Sequence, residues 1–327
     1  MIEGDPANQH DTVLVRPKPR VPSRAPAEGD LRAVNHQGFV SSCRDYLSLT
    51  KPRVAVLLLL TALVAMFLAP GGDPSLSRVL LTMLGGYLAA GGAGAVNCYL
   101  DRDLDAQMKR TCHRALPSGR LEPANALILG LLLGLLSLLV LWFGTHPLAA
   151  ILALCAFLHY VLVYTLWLKR RSTRNVVIGG LAGAVPPLVG WAAVTGTLSP
   201  AAWVLAAIVY CWTPAHFWAL ALMRREEYGR AGVPMLPVVR GAETTRRRIL
   251  AYTALTVLLT ALPVITGTLG ALYAVAAGGL GALFLGLAVR MRRGGEGPVV
   301  RRFYFFTLIY LGALFLAMWI DRLILLR

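Results

Sequence analysis

Downstream of Lys51 the chain alternates long apolar runs with short polar, mostly basic segments. Nine runs occupy residues 54–69, 79–97, 124–143, 148–168, 176–195, 201–222, 249–266, 271–290 and 303–320. Each is close to the roughly 20 residues that a helix rising about 1.5 Å per residue needs to cross about 30 Å of hydrocarbon. Open strands would leave backbone amides and carbonyls unpaired in lipid, so the runs predict helices. The expected fold class is therefore all-α: a polytopic membrane bundle of nine transmembrane helices around a central cavity, spanning residues 46–327. Residues 1–45 hold six basic and six acidic residues, with five prolines before position 30. They predict a flexible cytoplasmic tail, without a signal-peptide core and too acidic for a transit peptide.

Composition agrees with the pattern. The 327 residues are 57% hydrophobic and 15% charged, with a mean hydropathy of +0.62, which excludes disordered and fibrous classes and disfavours a soluble enzyme. The net charge of +16 raises the question of nucleic acid. Its distribution answers it. With the tail cytoplasmic, the tail together with Lys51 and Arg53 at the entry to the first span, 98–123, 169–175, 223–248 and 291–302 (with Arg290 at the edge of the last) carry 29 of the 32 Lys and Arg, leaving Arg78, Arg322 and Arg327 outside. Such one-sided charge sets topology and implies no nucleic-acid partner. The expected location is the cell inner membrane, with the N-terminus and polar site cytoplasmic and the C-terminus outside. The five cysteines form no C-x-x-C pair, so neither a disulfide framework nor a zinc site is signalled.

Topology gives no reason for carboxylates, which makes the acids at span ends informative. The second run leads into Asn97, Asp101 and Asp105, an N-x-x-x-D-x-x-x-D pattern. On a continuing helix these lie along one face, with neighbours about 6 Å apart. The set is hard and all-oxygen, which suits Mg²⁺ shared with a phosphorylated substrate. Lys109, Arg110 and Arg114 follow at once, so metal-binding acids and phosphate-binding cations share one loop. The bland reading, a solvated helix end pairing with its own arginines, does not explain that clustering. A loop of similar composition, Arg224 to Arg230 with Glu226 and Glu227, comes four spans later and so on the same face. Two such loops over an apolar bundle suit a substrate with a diphosphate head and a hydrocarbon tail.

Within the fifth run, Gly179, Gly180, Gly183, Pro186, Pro187 and Gly190 are helix breakers, and carbonyls freed by proline are tolerated where they line a cavity or are buried in protein. Gly85, Gly86, Gly91, Gly92 and Gly94 in the second run permit close packing or space for a ligand. His216 in the sixth run is costly in a membrane: it either ligates haem iron, positions a substrate carboxylate, or sits neutral, hydrogen-bonded to a helix carbonyl.

The chain resembles the protohaem IX farnesyltransferases (haem O synthases), a branch of the UbiA-type intramembrane prenyltransferases, over roughly residues 45–320. The likeness rests on Thr50-Lys51-Pro52-Arg53-Val54 and on the first acidic motif continued through Arg110, Thr111, Arg114 and Pro117. It extends through Tyr164-Thr165 with Lys169-Arg170, and through Asn175 with Gly183-Ala184-Val185-Pro186-Pro187 and Trp191. His216-Phe217 and Tyr228 with Val233-Pro234-Met235-Leu236-Pro237 complete it. Ala115 and Ala215 stand where the family usually has Pro, and Glu227 where Asp is common, so either Glu226 or Glu227 reaches metal.

The resemblance implies transfer of farnesyl from farnesyl diphosphate to a vinyl group of haem b, with water addition, giving haem O for haem-copper oxidases. The downstream haem O-modifying enzyme is then an expected partner. Asn97, Asp101, Asp105, Arg110 and Lys169 are the expected catalytic residues, with Mg²⁺ held by Asn97, Asp101 and Asp105 and a second ion helped by Glu226 or Glu227. Lys51, Arg53, Lys109, Arg114, Arg170 and Arg230 are expected on the diphosphate, and His216, Trp191 and Asn175 on the haem. Two other readings are an aromatic-acid or chlorin prenyltransferase and an ion-coupled transporter. The transporter fits poorly, because its acids belong at the midplane and these lie at one surface.

Overall fold

The computed structural model describes residues 41–71, 73–294 and 297–325. Most of the segment read as a tail lies outside the described residues; its last five positions begin a helix. In order the elements are α1 (Ser41–Leu49), α2 (Pro52–Leu68), α3 (Leu76–Leu100), α4 (Arg102–Gln107), α5 (Pro123–Gly144) and α6 (Pro147–Leu158), which continues as a π-helix over His159–Leu168. Then come α7 (Asn175–Ala184), α8 (Pro186–Thr195), α9 (Pro200–Met223), α10 (Arg225–Arg230), α11 (Leu236–Val239), α12 (Gly241–Thr260), α13 (Leu262–Ile265), α14 (Ala271–Arg292) and α15 (Pro298–Leu325). No strand occurs among the described residues. Eight helical segments are long and apolar enough to span, and a ninth when α1 and α2, bent by 48°, are taken together. Each of the nine apolar runs falls on a helix or a consecutive pair.

Prolines open many of these helices. Pro52, Pro123, Pro147, Pro186 and Pro200 sit in first turns, where the missing N–H has no intrahelical partner to lose. Pro186 also divides the fifth span into α7 and α8, the break expected from its sequence. The span ends at Gly196, whose φ of 68° no β-carbon favours and whose N–H bonds to Ala192 O at 2.9 Å.

Lipid offers no hydrophobic drive between helices, so packing must come from close approach. A β-carbon at Gly92 would meet the Gly130 carbonyl of α5 at 2.7 Å, and one at Gly190 would meet Ala62 O of α2 at 2.0 Å. The second-span glycines are thus packing positions. So are Gly179, against the Tyr164 ring, and Gly180, against the Thr213 methyl; Gly183 alone in α7 has only Thr213 Oγ1 near, at 3.9 Å. The other half is filled by aromatic rings: Phe284 lies 4.4 Å from Tyr310 and 5.3 Å from Phe303, all fully buried. Leu131, Leu132, Leu135 and Leu139 of α5 remain exposed, as a lipid-facing stripe requires.

Candidate active site

The helix does not run unbroken through the first acidic motif. α3 stops at Leu100, and Asp101 (φ −96°, ψ 5°) joins it to α4. The four-residue spacing survives, because Asp101 N–H bonds to Asn97 O at 2.9 Å and Asp105 N–H to Asp101 O at 2.8 Å. Asn97, Asp101 and Asp105 are all buried, Asp101 to 2% exposure. Buried carboxylates need partners. Asp101 Oδ2 accepts from Asn97 Nδ2 at 2.6 Å and from Lys169 Nζ, whereas Asp101 Oδ1 has no partner among the described residues. Asp105 Oδ2 accepts from Arg114 Nη1 at 2.7 Å, and its carbonyl accepts from Thr111 Oγ1.

Lys51 reaches the cluster from another direction. Its Nζ donates to Asn97 Oδ1 at 2.5 Å. Its backbone is left-handed (φ 51°, ψ 54°), the one such non-glycine among the described residues, at a cost of about 1–2 kcal/mol. Strain held beside a charged cluster marks a position fixed by its surroundings.

Lys169 arrives by way of the π-helix. Its N–H bonds to Tyr164 O, five residues back, at 2.8 Å, and Thr165 Oγ1 donates to Tyr160 O over the same interval. That wider turn puts Thr165 Oγ1 3.1 Å from Asn97 Nδ2 while Lys169 meets Asp101. Burial alone would push the Lys169 pKa down, but Tyr164 and Asp101 more than offset it, so the amine stays above its ordinary value. Three cations thus surround two carboxylates, leaving a net positive charge suited to an anion. A pocket of about 130 Å³ opens beside them, lined by Lys51, Cys98, Asp105, Arg114, Leu116 and Pro117.

Other expected site residues are placed differently. Arg170 turns outward onto Asp103, at 2.6 Å, and that hydrogen bond holds the Asp103 pKa down to about 2. Arg53, Lys109 and Arg110 are exposed without an ion pair among the described residues. Arg230 is exposed, its Nε 3.5 Å from Glu226 O. In the second loop Glu226 is exposed, whereas Glu227 is half-buried and paired with Arg224 at 2.8 Å. No three His, Cys, Asp or Glu side chains gather into a metal-binding group among the described residues, so the two loops do not pool their acids.

The loops nevertheless meet. Asn175, fully buried, extends Nδ2 to Lys169 O at 3.4 Å and to Met235 Sδ at 3.6 Å, which links Asp101 through Lys169 to the second loop, and its Oδ1 is unpartnered among the described residues. Trp191 is 3% exposed within the core. His216 lies in α9, Nδ1 to Thr307 Oγ1 of α15 at 2.6 Å. Thr165 and Thr307 were not singled out as site residues from sequence; a hydroxyl in an apolar span was the available signal.

With this geometry in view, the comparisons with known proteins are decisive for the family. The model of the UbiA prenyltransferase family matches residues 58–317. The chain belongs to that family. A protoheme IX farnesyltransferase of Symbiobacterium thermophilum is 50% identical over 280 residues, covering 85% of this chain and 94% of the relative. Its counterpart in Roseiflexus sp. strain RS-1 is 51% identical over 315 residues, covering 95% of this chain and 59% of the relative. The chain spans about half the length of the Roseiflexus, Chloroflexus and Thermus relatives it matches. Among solved structures, digeranylgeranylglyceryl phosphate synthase shares the fold with a TM-score of 0.72 at 18% identity, covering 86% of this chain and 99% of that one. A UbiA homologue from Archaeoglobus fulgidus bound to DMAPP and Mg²⁺ gives 0.62 at 17%, covering 84% and 99%.

Proposed function

We propose that this UbiA-family protein transfers the farnesyl group of farnesyl diphosphate to a vinyl group of haem b, with addition of water, to make haem O for haem-copper oxidases. The observation that carries the chemistry is the buried Oδ1 of Asp101, without a partner among the described residues, on a carboxylate whose other oxygen is held by Lys169. The choice of haem as acceptor is supported by relatives of about 50% identity bearing the name protoheme IX farnesyltransferase.

The residues fit a divalent metal: two buried carboxylates, one with a free oxygen, and an amide one helical turn away. Asn97, Asp101 and Asp105 would hold Mg²⁺, and Glu227 is better placed than Glu226 to support a second ion, being turned inward. Bound Mg²⁺ supplies positive charge to the diphosphate oxygens as the carbon–oxygen bond weakens. The chain's own residues do the rest. Lys51, Lys169 and Arg114 set a positive field where the leaving group's charge develops, and the exposed Lys109, Arg110 and Arg53 draw the head group in. Buried aromatic and aliphatic walls keep bulk water from the allylic cation. The terminal vinyl carbon of the haem adds to that cation, water captures the new carbocation as a hydroxyl, and a proton leaves. His216, Trp191 and Asn175 are the residues proposed for the haem side, and Arg170 and Arg230 border the polar surface.

The one-sided distribution of Lys and Arg supports a cytoplasmic site in a cell inner membrane, with the C-terminus outside and the haem O-modifying enzyme as a downstream partner. Membranes containing the chain, given haem b, farnesyl diphosphate and Mg²⁺, should yield haem O by mass. Product from 4-hydroxybenzoate or a chlorin, with none from haem b, would overturn the acceptor assignment.

A further inference from the structure

Thr165 is 1% exposed in the π-helical end of the fourth span. A threonine hydroxyl within a helix often returns its proton to a carbonyl of that helix, as Thr213 and Thr256 do to Val209 O and Tyr252 O, four residues back. Thr165 does so across five residues, to Tyr160 O at 2.8 Å. The wider turn brings its oxygen to another helix: Asn97 Nδ2 of α3, 68 residues away in the chain, lies 3.1 Å from it. Such π turns recur at functional sites.

The protons decide which way the Asn97 amide points. A threonine hydroxyl has one proton, and that of Thr165 is spent on the Tyr160 carbonyl, so towards Asn97 it can only accept. The Asp101 carboxylate, at 2.6 Å, also only accepts, and the Lys51 ammonium, at 2.5 Å, only donates. All three partners therefore agree: both amide N–H groups are used, on Asp101 and Thr165, and Oδ1 faces Lys51. A carbonyl oxygen has two lone pairs, and among the described residues Lys51 takes one of them. What remains on the amide is an oxygen lone pair, the donor that a hard divalent ion takes. Two of the three partners have a second duty, because Lys51 and Asp101 belong to the proposed diphosphate and ion site and would be drawn towards those ligands. Thr165 has none.

We infer that Thr165 is a positioning residue of the ion site, whose hydroxyl, committed to the π-helical Tyr160 carbonyl, holds the Asn97 amide with its oxygen available as Lys51 and Asp101 turn to their ligands. This rests on the metal reading above and gives the π turn a task, that of carrying an accepting hydroxyl to Asn97.

The test uses the full chain in detergent, with two readouts. The first is Mn²⁺ affinity by EPR with farnesyl diphosphate and without haem. Thr165→Val, and the smaller Thr165→Ala should the valine variant not fold, should weaken binding by about 10–100-fold, as loss of an outer-shell partner does. Thr165→Ser, which restores the hydroxyl, should retain it. Thr256→Val removes the same kind of helix back-bond far from the cluster in sequence, on α12, and should leave affinity unchanged. The second readout needs no metal: hydrogen exchange of the Asn97 side-chain amide in chain labelled with [¹⁵N]asparagine, the signal assigned by its absence in Asn97→Asp. It should be protected in wild type and Thr165→Ser and lose protection in Thr165→Val. Wild-type affinity in a folded Thr165→Val, or equal losses in Thr165→Val and Thr256→Val, would overturn the positioning role, as would a Thr165→Ser as weak as the valine variant. A wild-type chain that binds no Mn²⁺ would remove the metal reading, and amide exchange would then decide on its own whether Thr165 holds Asn97.

Discussion

The two acidic loops look alike in sequence and differ in three dimensions. In the first, Asp101 and Asp105 are 2% and 6% exposed; Asp101 is gripped by Lys169, 68 residues away, and Asp105 by Arg114 of its own loop, with one Asp101 oxygen left without a partner among the described residues. In the second, Glu226 is exposed and Glu227 pairs, among the described residues, with Arg224, three residues before it. The first is prebuilt: its acids are already out of water, and a tertiary contact to Lys169 offsets part of the desolvation cost of Asp101. The second is a short, local ion pair on a six-residue helix that can exchange its partner at little cost. Equal composition therefore does not mean equal roles: in the function proposed above, the first loop would carry the metal site and the second would assist it.

That inequality can be broken by experiment, starting with the largest effect. Asp101→Ala should cut kcat by about 10²–10³-fold, the usual loss when one preorganised electrostatic group is removed; the check is turnover of haem b to haem O. Next, Lys169→Met leaves Asp101 buried without its cation and should destabilise the protein by up to about 3 kcal/mol, at the low end for a broken buried pair because Lys169 keeps 16% side-chain exposure. Thermal unfolding in detergent measures it. In the second loop, Glu227→Gln should reduce turnover by about tenfold, or roughly 1.4 kcal/mol, and Glu226→Gln hardly at all. Equal losses in the two loops would end the asymmetry. The smallest effect belongs to Asp103. Its pair with Arg170 is exposed and contributes at most about 1 kcal/mol. Because the folded pKa is lowered to about 2, that contribution is present above the ordinary carboxylate pKa and is lost only as pH falls through about 2. Asp103→Asn should accordingly leave the stability profile between pH 5 and 8 parallel to wild type.

The fold was legible because apolar length against bilayer thickness is a one-dimensional property, so runs such as 201–222 become α9 with little shift. The first acidic motif was legible for a related reason: topology explains arginines but not aspartates. What sequence could not show was register. The π-helix over His159–Leu168 changes which residues share a face, and without it Thr165 and Lys169 would not be placed beside Asn97 and Asp101. Nor could spacing reveal that Arg170 leaves the cluster for Asp103, that Lys51 bends into a left-handed backbone, or that His216 meets a hydroxyl 91 residues away. The broken fifth span was read correctly as broken, but three of its glycines serve packing against Tyr164, Thr213 and Ala62.

The central claim is that the first loop holds the divalent ion. Mn²⁺ in place of Mg²⁺, titrated into the purified chain with farnesyl diphosphate and without haem and followed by EPR, measures this directly. Wild type and Glu226→Gln should bind the ion alike, and a folded Asp101→Asn should lose it. An Asp101→Asn protein that binds Mn²⁺ as tightly as wild type would contradict the assignment.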